Sequence, residues 1–353
     1  SDVAVAPDGS LMIADWYDPG VGGHGMGDLE RGRVFRVAPK GNSAYQITKV
    51  DTSATEGALA ALKSPNNATR FLGWTALSQS KEGRKAARDL FRDKDAEAHH
   101  RARGLHLLGW HKKAYVKAAL KDADPNIRMA GLRLARQHNS HLLESIAMLV
   151  EDKDPQVRRE CAIALRFLSG DEADQLWAKL AAMHDGKDRW YLEALGIGAD
   201  LHWDSRMKAY LGLADHGKGA VEVLWRSRAK VTASQLADAL VNESSPEQRN
   251  RMLRAFHFQP AGEMKETALL SVFDRGGPDV AIPVALALSP KAITQVPERV
   301  EKARELVKQL KGKPELVKFI AHLGLDGTQP LLLDFIISQA NPSQESILAA
   351  RTL

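Results

Sequence analysis

The residues best suited to chemistry stand together near the start of the chain, in segment 15–32. Asp15, Asp18 and Asp28 supply carboxylates, and His24 supplies an imidazole. Oxygen-rich sets suit calcium, and a carboxylate or imidazole can also act as a general base. Six glycines in the segment let the backbone adopt positive φ and approach a ligand closely. The segment therefore predicts either a metal site formed by these four residues or an active site with Asp15 and His24 as catalytic candidates.

The same residues also permit a purely structural interpretation. Asp15 and Asp18 are of the type that caps turns, Trp16 can pack against a neighbouring sheet, and His24 can hydrogen-bond to a loop carbonyl. No spacing among the candidate ligands is diagnostic of one metal or one reaction. The sequence leaves both interpretations open.

Short β-strands flank this segment on both sides. Residues 2–15 predict a hairpin, because two apolar runs surround a Pro-Asp-Gly turn at 7–9. A third strand is predicted at 33–37. Three such strands cannot bury a sheet of their own, and their pattern resembles the closing blade of a β-propeller, whose blades have four strands.

A helical repeat occupies most of the remaining chain. Asp-Pro-Asn-Ile-Arg stands at 124–128 and Asp-Pro-Gln-Val-Arg at 154–158, so the period is 30 residues, and looser copies occur elsewhere. This period, with an apolar spacing of 3.6, resembles the HEAT-type repeat and predicts stacked helix pairs. We therefore expect a mostly α fold, a HEAT-like α-solenoid preceded by a short β segment. The predicted divisions are a propeller-blade remnant at 1–40, a linker at 41–52 and helical repeats at 53–353.

Each repeat motif combines a helix cap with an arginine. The aspartate before each proline accepts hydrogen bonds from free N–H groups at the helix start, and proline suits the first helical position. The arginine three residues after the proline is predicted to reach the acid of the adjacent repeat, which would form a ladder along the array. The residues given this structural role are Asp124, Pro125, Arg128, Asp154, Pro155, Arg158, Asp188 and Arg189.

The composition of the chain argues against a membrane-spanning protein and against a haem-attachment site within these residues. The 353 residues are 44% hydrophobic and 26% charged, and the longest apolar runs are too short to span a membrane. The net charge of +5 is spread over repeated helix positions, which makes nucleic-acid binding an unlikely alternative. Cys161 is the only cysteine, so these residues hold no internal disulfide and no Cys-x-x-Cys-His haem motif. Its place on an apolar helix face predicts a core residue rather than a nucleophile.

Two further groups of residues admit more than one role. Four histidines crowd one repeat, but their spacing matches no zinc signature. They are His99, His100, His106 and His111. Five aromatic residues cluster later in the array, where they predict a bulkier core or, as the alternative, an exposed patch that docks a partner. They are Trp177, Trp190, Tyr191, Trp203 and Trp225.

Together, several of these motifs resemble a large bacterial family. The motifs are the glycine-rich loop at 14–28, the strand at 31–37, the Asp-Pro-x-Val/Ile-Arg repeats and Lys-Asp-Arg-Trp-Tyr-Leu-Glu-Ala-Leu-Gly-Ile-Gly at 187–198. The family is that of the "membrane-bound dehydrogenase domain" or haem-binding proteins of planctomycetes. Its members carry a propeller similar to quinone-type sugar dehydrogenases, a HEAT-repeat region and a cytochrome c domain.

The resemblance implies a central piece of such a protein. The chain begins inside a predicted strand and ends in a predicted helix, so we expect most of the propeller and the haem domain to lie outside it. The expected function is a non-catalytic scaffold that links the propeller to the cytochrome c domain of a periplasmic or exported redox protein. Haem c, and a quinone or calcium, would then belong to the full-length protein and not to these residues. The alternatives are that loop 15–31 forms part of a sugar or alcohol dehydrogenase active site or a calcium site, and that the solenoid binds nucleic acid.

Overall fold

Helices make up most of the chain, and the strands found among the described residues lie near its start. The computed structural model describes residues 2–15, 30–42, 49–139, 141–339 and 341–353. These residues contain 21 helices and one three-stranded antiparallel sheet. The predicted fold class, mostly α and solenoid-like with a short N-terminal β segment, is confirmed. None of the described helices is both long and apolar enough to cross a membrane.

The elements follow one another with short connections. The strands are β1 (Asp2–Val5), β2 (Leu11–Asp15) and β3 (Arg33–Val37). The first helices are α1 (Thr55–Lys63), α2 (Asn67–Gln79), α3 (Lys81–Arg92), α4 (Ala98–Gly109), α5 (Lys113–Ala119), α6 (Pro125–Gln137), α7 (Leu142–Leu149) and α8 (Pro155–Ala164). The next are α9 (Asp171–Ala182), α10 (Arg189–Ala199), α11 (Trp203–Leu211), α12 (Ala220–Arg226), α13 (Thr232–Asn242), α14 (Pro246–His257) and α15 (Glu263–Arg275). The last are α16 (Pro278–Ala287), α17 (Pro290–Thr294), α18 (Pro297–Gln309), α19 (Pro314–Leu323), α20 (Gln329–Ser338) and α21 (Gln344–Thr352).

The chain divides into two compact units, Ser1–Cys161 and Ala162–Leu353. In the first unit α1 packs on α2, α3 on α4, and α4 on α6. In the second unit α9 packs on α11, α13 on α15, and α19 on α21. Packing on the next helix or the next but one is the property of a repeat array, in which each repeat contacts mainly its neighbours.

The sheet belongs to the first unit and has the order β1-β2-β3. Arg36 closes the hairpin end, because its Nη2 donates to Asp8 Oδ2 at 2.7 Å and its Nε donates to Ser10 Oγ at 3.1 Å. Buried Asn66, the N-cap of α2, donates from Nδ2 to Ala6 O at 2.8 Å, which ties the sheet to the helices. The sheet still leaves apolar side chains exposed, including Val34 at 67%.

One arginine geometry recurs at helix starts. The arginine four residues after the N-cap folds back, and its guanidinium donates to carbonyls of the residues just before its own helix. This contact is made by Arg70, Arg84, Arg128, Arg158 and Arg249. It satisfies loop carbonyls that the tight connection would otherwise leave without a donor.

Arginines four residues after an N-cap also join neighbouring repeats in the first unit. Arg128 donates to both carboxylate oxygens of Asp152 in the next repeat, at 2.6 and 2.7 Å. Arg101 makes the equivalent bidentate contact with Asp122, at 2.6 and 3.2 Å. The acceptor is the first aspartate of an Asp-x-Asp-Pro sequence, and the second aspartate, Asp154 in the later copy, caps its own helix. The motif thus separates the bridging acid from the capping acid.

A buried polar cluster holds the start of the second unit. Arg206 is fully buried, and it donates to Asp174 Oδ1 at 2.6 Å and to Leu168 O at 2.7 Å. Trp177, also fully buried, donates from Nε1 to Leu195 O at 2.9 Å. Polar groups inside a core need such partners, because an unpaired one costs about 1–3 kcal/mol.

Removing one partner of the Arg128–Asp152 pair should destabilise the first unit. Arg128→Ala leaves a nearly buried carboxylate without its partner, a change that typically costs about 3–5 kcal/mol. We expect a loss of that order in the free energy of unfolding, measured by urea denaturation. Arg88→Ala, which removes a more exposed pair with Asp89, is the matched control and should cost no more than about 1 kcal/mol. Equal losses for the two variants would contradict the role given to Arg128.

The same ladder predicts a stability that falls in acid. Burial raises the pKa of Asp122, but hydrogen bonds from Arg101, Lys94 and the Asp124 N–H outweigh it and hold the pKa at about 2, below the ordinary 3.8. A lowered folded-state pKa stabilises the protein above pH 3.8, and this contribution is lost as the pH falls to about 2. Urea denaturation between about pH 5 and pH 2 should therefore give a falling free energy of unfolding. Asp122→Asn should flatten this pH dependence while lowering stability at pH 7.

Candidate interaction groove

The four residues predicted to form a metal or active site are only partly covered by the structure. Asp15 is the last residue of β2, is exposed, and pairs in register with Arg33 of β3. Asp18, His24 and Asp28 lie outside the described residues. Their proposed roles therefore stay predictions.

The residues predicted to have a structural role occupy helix starts. Asp124 and Asp188 are the N-caps of α6 and α10, where they accept from Asn126 N at 2.8 Å and Tyr191 N at 3.0 Å. Pro125 and Pro155 are the first residues of α6 and α8. Arg189 differs from the other arginines, because its side chain is 84% exposed and lies 3.9 Å from Glu193 of its own helix.

Two other groups from the sequence have plain structural positions. Among the described residues, Glu97, His99 and His100 bring potential ligand atoms within 4.8 Å of one another. Each histidine already has a protein contact, His99 Nδ1 with Glu97 at 3.1 Å and His100 Nε2 with Lys63 O at 3.1 Å. Cys161 is fully buried, and desolvation raises the pKa of its thiol, which disfavours the reactive thiolate.

A groove in the second unit gathers charged and aromatic residues from three helices that pack side by side, α10, α12 and α14. It is about 420 Å³ in volume and is lined by α10 with the loop before it, by α12, and by α14 with the residue just after it. We call it the interaction groove, and its lining residues are His184, Gly186, Lys187, Arg189, Leu192, Glu193, Glu222, Trp225, Arg251, Arg254 and Phe258. Because these come from neighbouring helices, the spacing of the repeats fixes the geometry of the groove.

Ion pairs between helices order the floor of the groove. Arg226 of α12 donates from Nε to Glu193 Oε2 of α10 at 3.1 Å. Arg251 of α14 pairs with Glu222 of α12. Gly196 makes the first pair sterically feasible, since a Cβ at this position would lie only 2.3 Å from Arg226 Cζ. Both acidic side chains of the groove are therefore engaged by arginines of the adjacent helix.

Aromatic rings form the apolar part of the wall. The Trp225 and Phe258 rings meet edge to face at 6.3 Å, and Arg251 Cζ lies 4.8 Å from the Trp225 ring centroid. Phe258 is 53% exposed, which leaves an apolar face open to a partner. Exposed aromatic groups beside arginines are typical anchors of protein interfaces.

The polar groups left over in the groove are hydrogen-bond donors. Lys187 and Arg254 are exposed, and neither forms an ion pair within the described part of the chain. Trp225 Nε1 and Arg251 Nε are shielded from solvent and have no hydrogen-bond acceptor in that part. The groove is therefore suited to a ligand that brings acceptor oxygens and an apolar group.

Burial disfavours a positive charge on the histidine at one end of the groove. Desolvation lowers the pKa of His184 more than the nearby carboxylates raise it. Its Nδ1 accepts a hydrogen bond from Gly186 N at 3.3 Å, and its ring stacks on Tyr191 at 5.7 Å. His184 thus supports the loop that carries Lys187 rather than adding a charge.

Sequence reasoning found part of this groove and missed part. Of the aromatic cluster, Trp177 and Tyr191 are core residues, whereas Trp190 is 72% exposed. The cluster therefore contains both core and exposed side chains, and the docking patch stays a prediction. The sequence does not indicate that α14 lines the groove, because Arg251 and Phe258 lie in a degenerate repeat without a recognisable motif.

Cys161 should not react in the folded protein. We expect no modification by a thiol reagent at pH 8 within the time that labels the urea-unfolded chain completely, because burial keeps the sulfur protonated and out of reach. Mass spectrometry of both samples measures this difference. Rapid labelling under native conditions would show that the helix pair around Cys161 opens readily.

Comparison with known proteins adds little to this description. No protein-family model and no curated protein matches the chain. Among solved structures, a match is the crystal structure of an engineered protein from the Northeast Structural Genomics Consortium, with 18% sequence identity over 84% of this chain and 77% of that chain. Its TM-score of 0.28 is too low to carry an argument about fold or function. The resemblance to the dehydrogenase-domain family therefore depends on the sequence motifs alone.

Proposed function

We propose that this chain is a non-catalytic, HEAT-like scaffold that holds a segment of a partner protein in the interaction groove. The observation that carries the proposal is the set of unpaired donors there. Exposed Lys187 and Arg254 stand beside the Trp225–Phe258 pair, in a groove whose acids are already neutralised. A carboxylate-bearing segment with one apolar anchor is the partner chemistry that complements this surface.

The carboxylates with lowered pKa values outside the groove favour a scaffold over an enzyme. Perturbed carboxylates often mark active sites, because catalysis requires shifted pKa values. Here two nearly buried carboxylates with lowered pKa, Asp122 and Asp152, are bound by arginines and bridge repeats. Their lowered pKa values are accounted for by these structural contacts.

The sequence resemblance supplies the biological setting of the proposal. In a protein with a propeller and a cytochrome c domain, the partner would be one of these domains of the same polypeptide. The protein would be periplasmic or exported, and haem c with a quinone or calcium would be bound by those other domains. The scaffold would then set the separation between an electron donor and its acceptor.

Binding in trans tests the groove. We expect the chain to bind the isolated propeller or cytochrome c domain of its own polypeptide, measured by isothermal titration calorimetry at two salt concentrations. Lys187→Glu/Arg254→Glu should weaken binding about ten-fold and reduce its salt dependence, because rim charges act through screened electrostatics. Lys208→Glu/Lys291→Glu, which makes the same charge change at exposed positions outside the groove, should leave the affinity unchanged.

Two results would contradict the proposal. An equal effect of the groove and control variants would mean that the partner binds elsewhere. Turnover of sugars or alcohols by this chain with an artificial electron acceptor would mean that it is not a passive scaffold.

A further inference from the structure

A second cavity, separate from the interaction groove, lies within the first unit. It has a volume of about 260 Å³ and is formed by α5, the end of α6 and α7. Its apolar lining comes from Val116, Leu120, Ala135 and Met148. Sites for drug-sized ligands usually measure about 300–1,000 Å³, so this cavity suits a smaller molecule with an apolar body.

Two lysines give the cavity a positive rim. Lys113 and Lys117 are one helical turn apart on α5, so their side chains lie on one face. Both line the cavity, both are exposed, and neither forms an ion pair within the residues that the structure describes. The carboxylate among the lining residues, Glu144, already contacts His141 Nδ1 at 3.3 Å. The rim therefore offers two cations to an anionic group.

The wall opposite α5 contains an unsatisfied polar group. His138 lines the cavity, and its Nε2 is shielded from solvent without a hydrogen-bond partner in the described chain. The Trp110 ring meets the His138 ring edge to face at 4.9 Å. A buried imidazole nitrogen without a partner is uncommon in folded proteins. The wall therefore offers a polar atom to a ligand bound in the cavity.

The loop that carries this wall is conformationally unusual. Asn139 and His141 have φ of 45° and 50°, and they are the two non-glycine residues with positive φ in the described chain. Such conformations persist only where surrounding contacts hold them, and they concentrate at ligand sites. Here Ser145 donates from Oγ to His141 O at 2.8 Å. The strained loop places His141 at the cavity edge.

We propose that this cavity binds a small monocarboxylate with an apolar chain, on the order of ten non-hydrogen atoms in size. The chain occupies the space between Val116, Leu120 and Met148, and the carboxylate lies between Lys113 and Lys117. Adaptable side chains such as methionine suit ligands of this kind, because they repack around different apolar shapes. This proposal does not depend on the interaction groove, because the two sites share no residues.

Octanoate is the probe that tests the site in the full chain. Isothermal titration calorimetry should give saturable 1:1 binding with a Kd on the order of 0.1–1 mM, and octylamine should bind at least ten-fold more weakly because of its charge. Lys113→Glu/Lys117→Glu should weaken octanoate binding at least ten-fold. Ala114→Trp, which places a large ring at the exposed edge of the cavity, should do the same. Circular dichroism would check that each variant is folded.

Lys121→Glu is the matched control, since Lys121 is exposed just beyond α5 and does not line the cavity. Its Kd for octanoate should equal that of the unaltered chain. The proposal is overturned if octanoate shows no saturable binding at about 10 mM, a concentration that nearly fills a site with a Kd of about 1 mM. It is also overturned if octylamine binds equally well, or if the lysine reversal or Ala114→Trp leaves the Kd unchanged.

Discussion

A single guanidinium contact organises much of the first unit. Arg128 donates backward to the carbonyls of Asp122 and Ala123 and forward to the carboxylate of Asp152. Only arginine has five donors in a planar fork that can serve both directions, which lysine cannot do. The contact fixes the loop before one helix and the start of the next repeat at once. The spacing of successive helix pairs then follows from local chemistry repeated along the chain.

The exposure of the arginine–aspartate pairs that join neighbouring repeats differs along the sequence. Pairs in the first unit are nearly buried, with side-chain exposures of 12% and 7% for Arg128 and Asp152. In the second unit the corresponding arginine, Arg249, reaches Asp279, whose side chain is 76% exposed. Exposed pairs contribute little to stability, because water and salt screen them. The Arg249–Asp279 pair therefore contributes less to stability than the Arg128–Asp152 pair, although the second unit also holds the buried Arg206–Asp174 pair.

The two surfaces proposed to bind ligands have a similar arrangement of charged and polar groups. Among the described residues of each, the acidic side chains contact an arginine or a histidine, whereas two cations and at least one shielded polar atom have no partner. The groove offers donors beside exposed aromatic rings, and the cavity offers two lysines beside aliphatic side chains. The two surfaces differ in volume, about 420 Å³ for the groove and about 260 Å³ for the cavity. The proposed ligands differ accordingly, a segment of a partner protein for the groove and a small molecule for the cavity. One scaffold can carry both, because the groove lies in the second unit and the cavity lies in the first.

The sequence by itself determined the helical repeats. Proline and a capping residue act over three or four positions, so Asp124-Pro125 and Asp154-Pro155 fix helix starts without knowledge of the fold. Tertiary structure decided which carboxylate each arginine meets: Arg128 pairs with Asp152, whereas Asp154, next to the proline, caps its own helix. It also decided which aromatic residues are buried and brought Glu193, Trp225 and Arg251 into one groove. Those contacts join residues about 30 positions apart, and their formation depends on helix packing that no local pattern specifies.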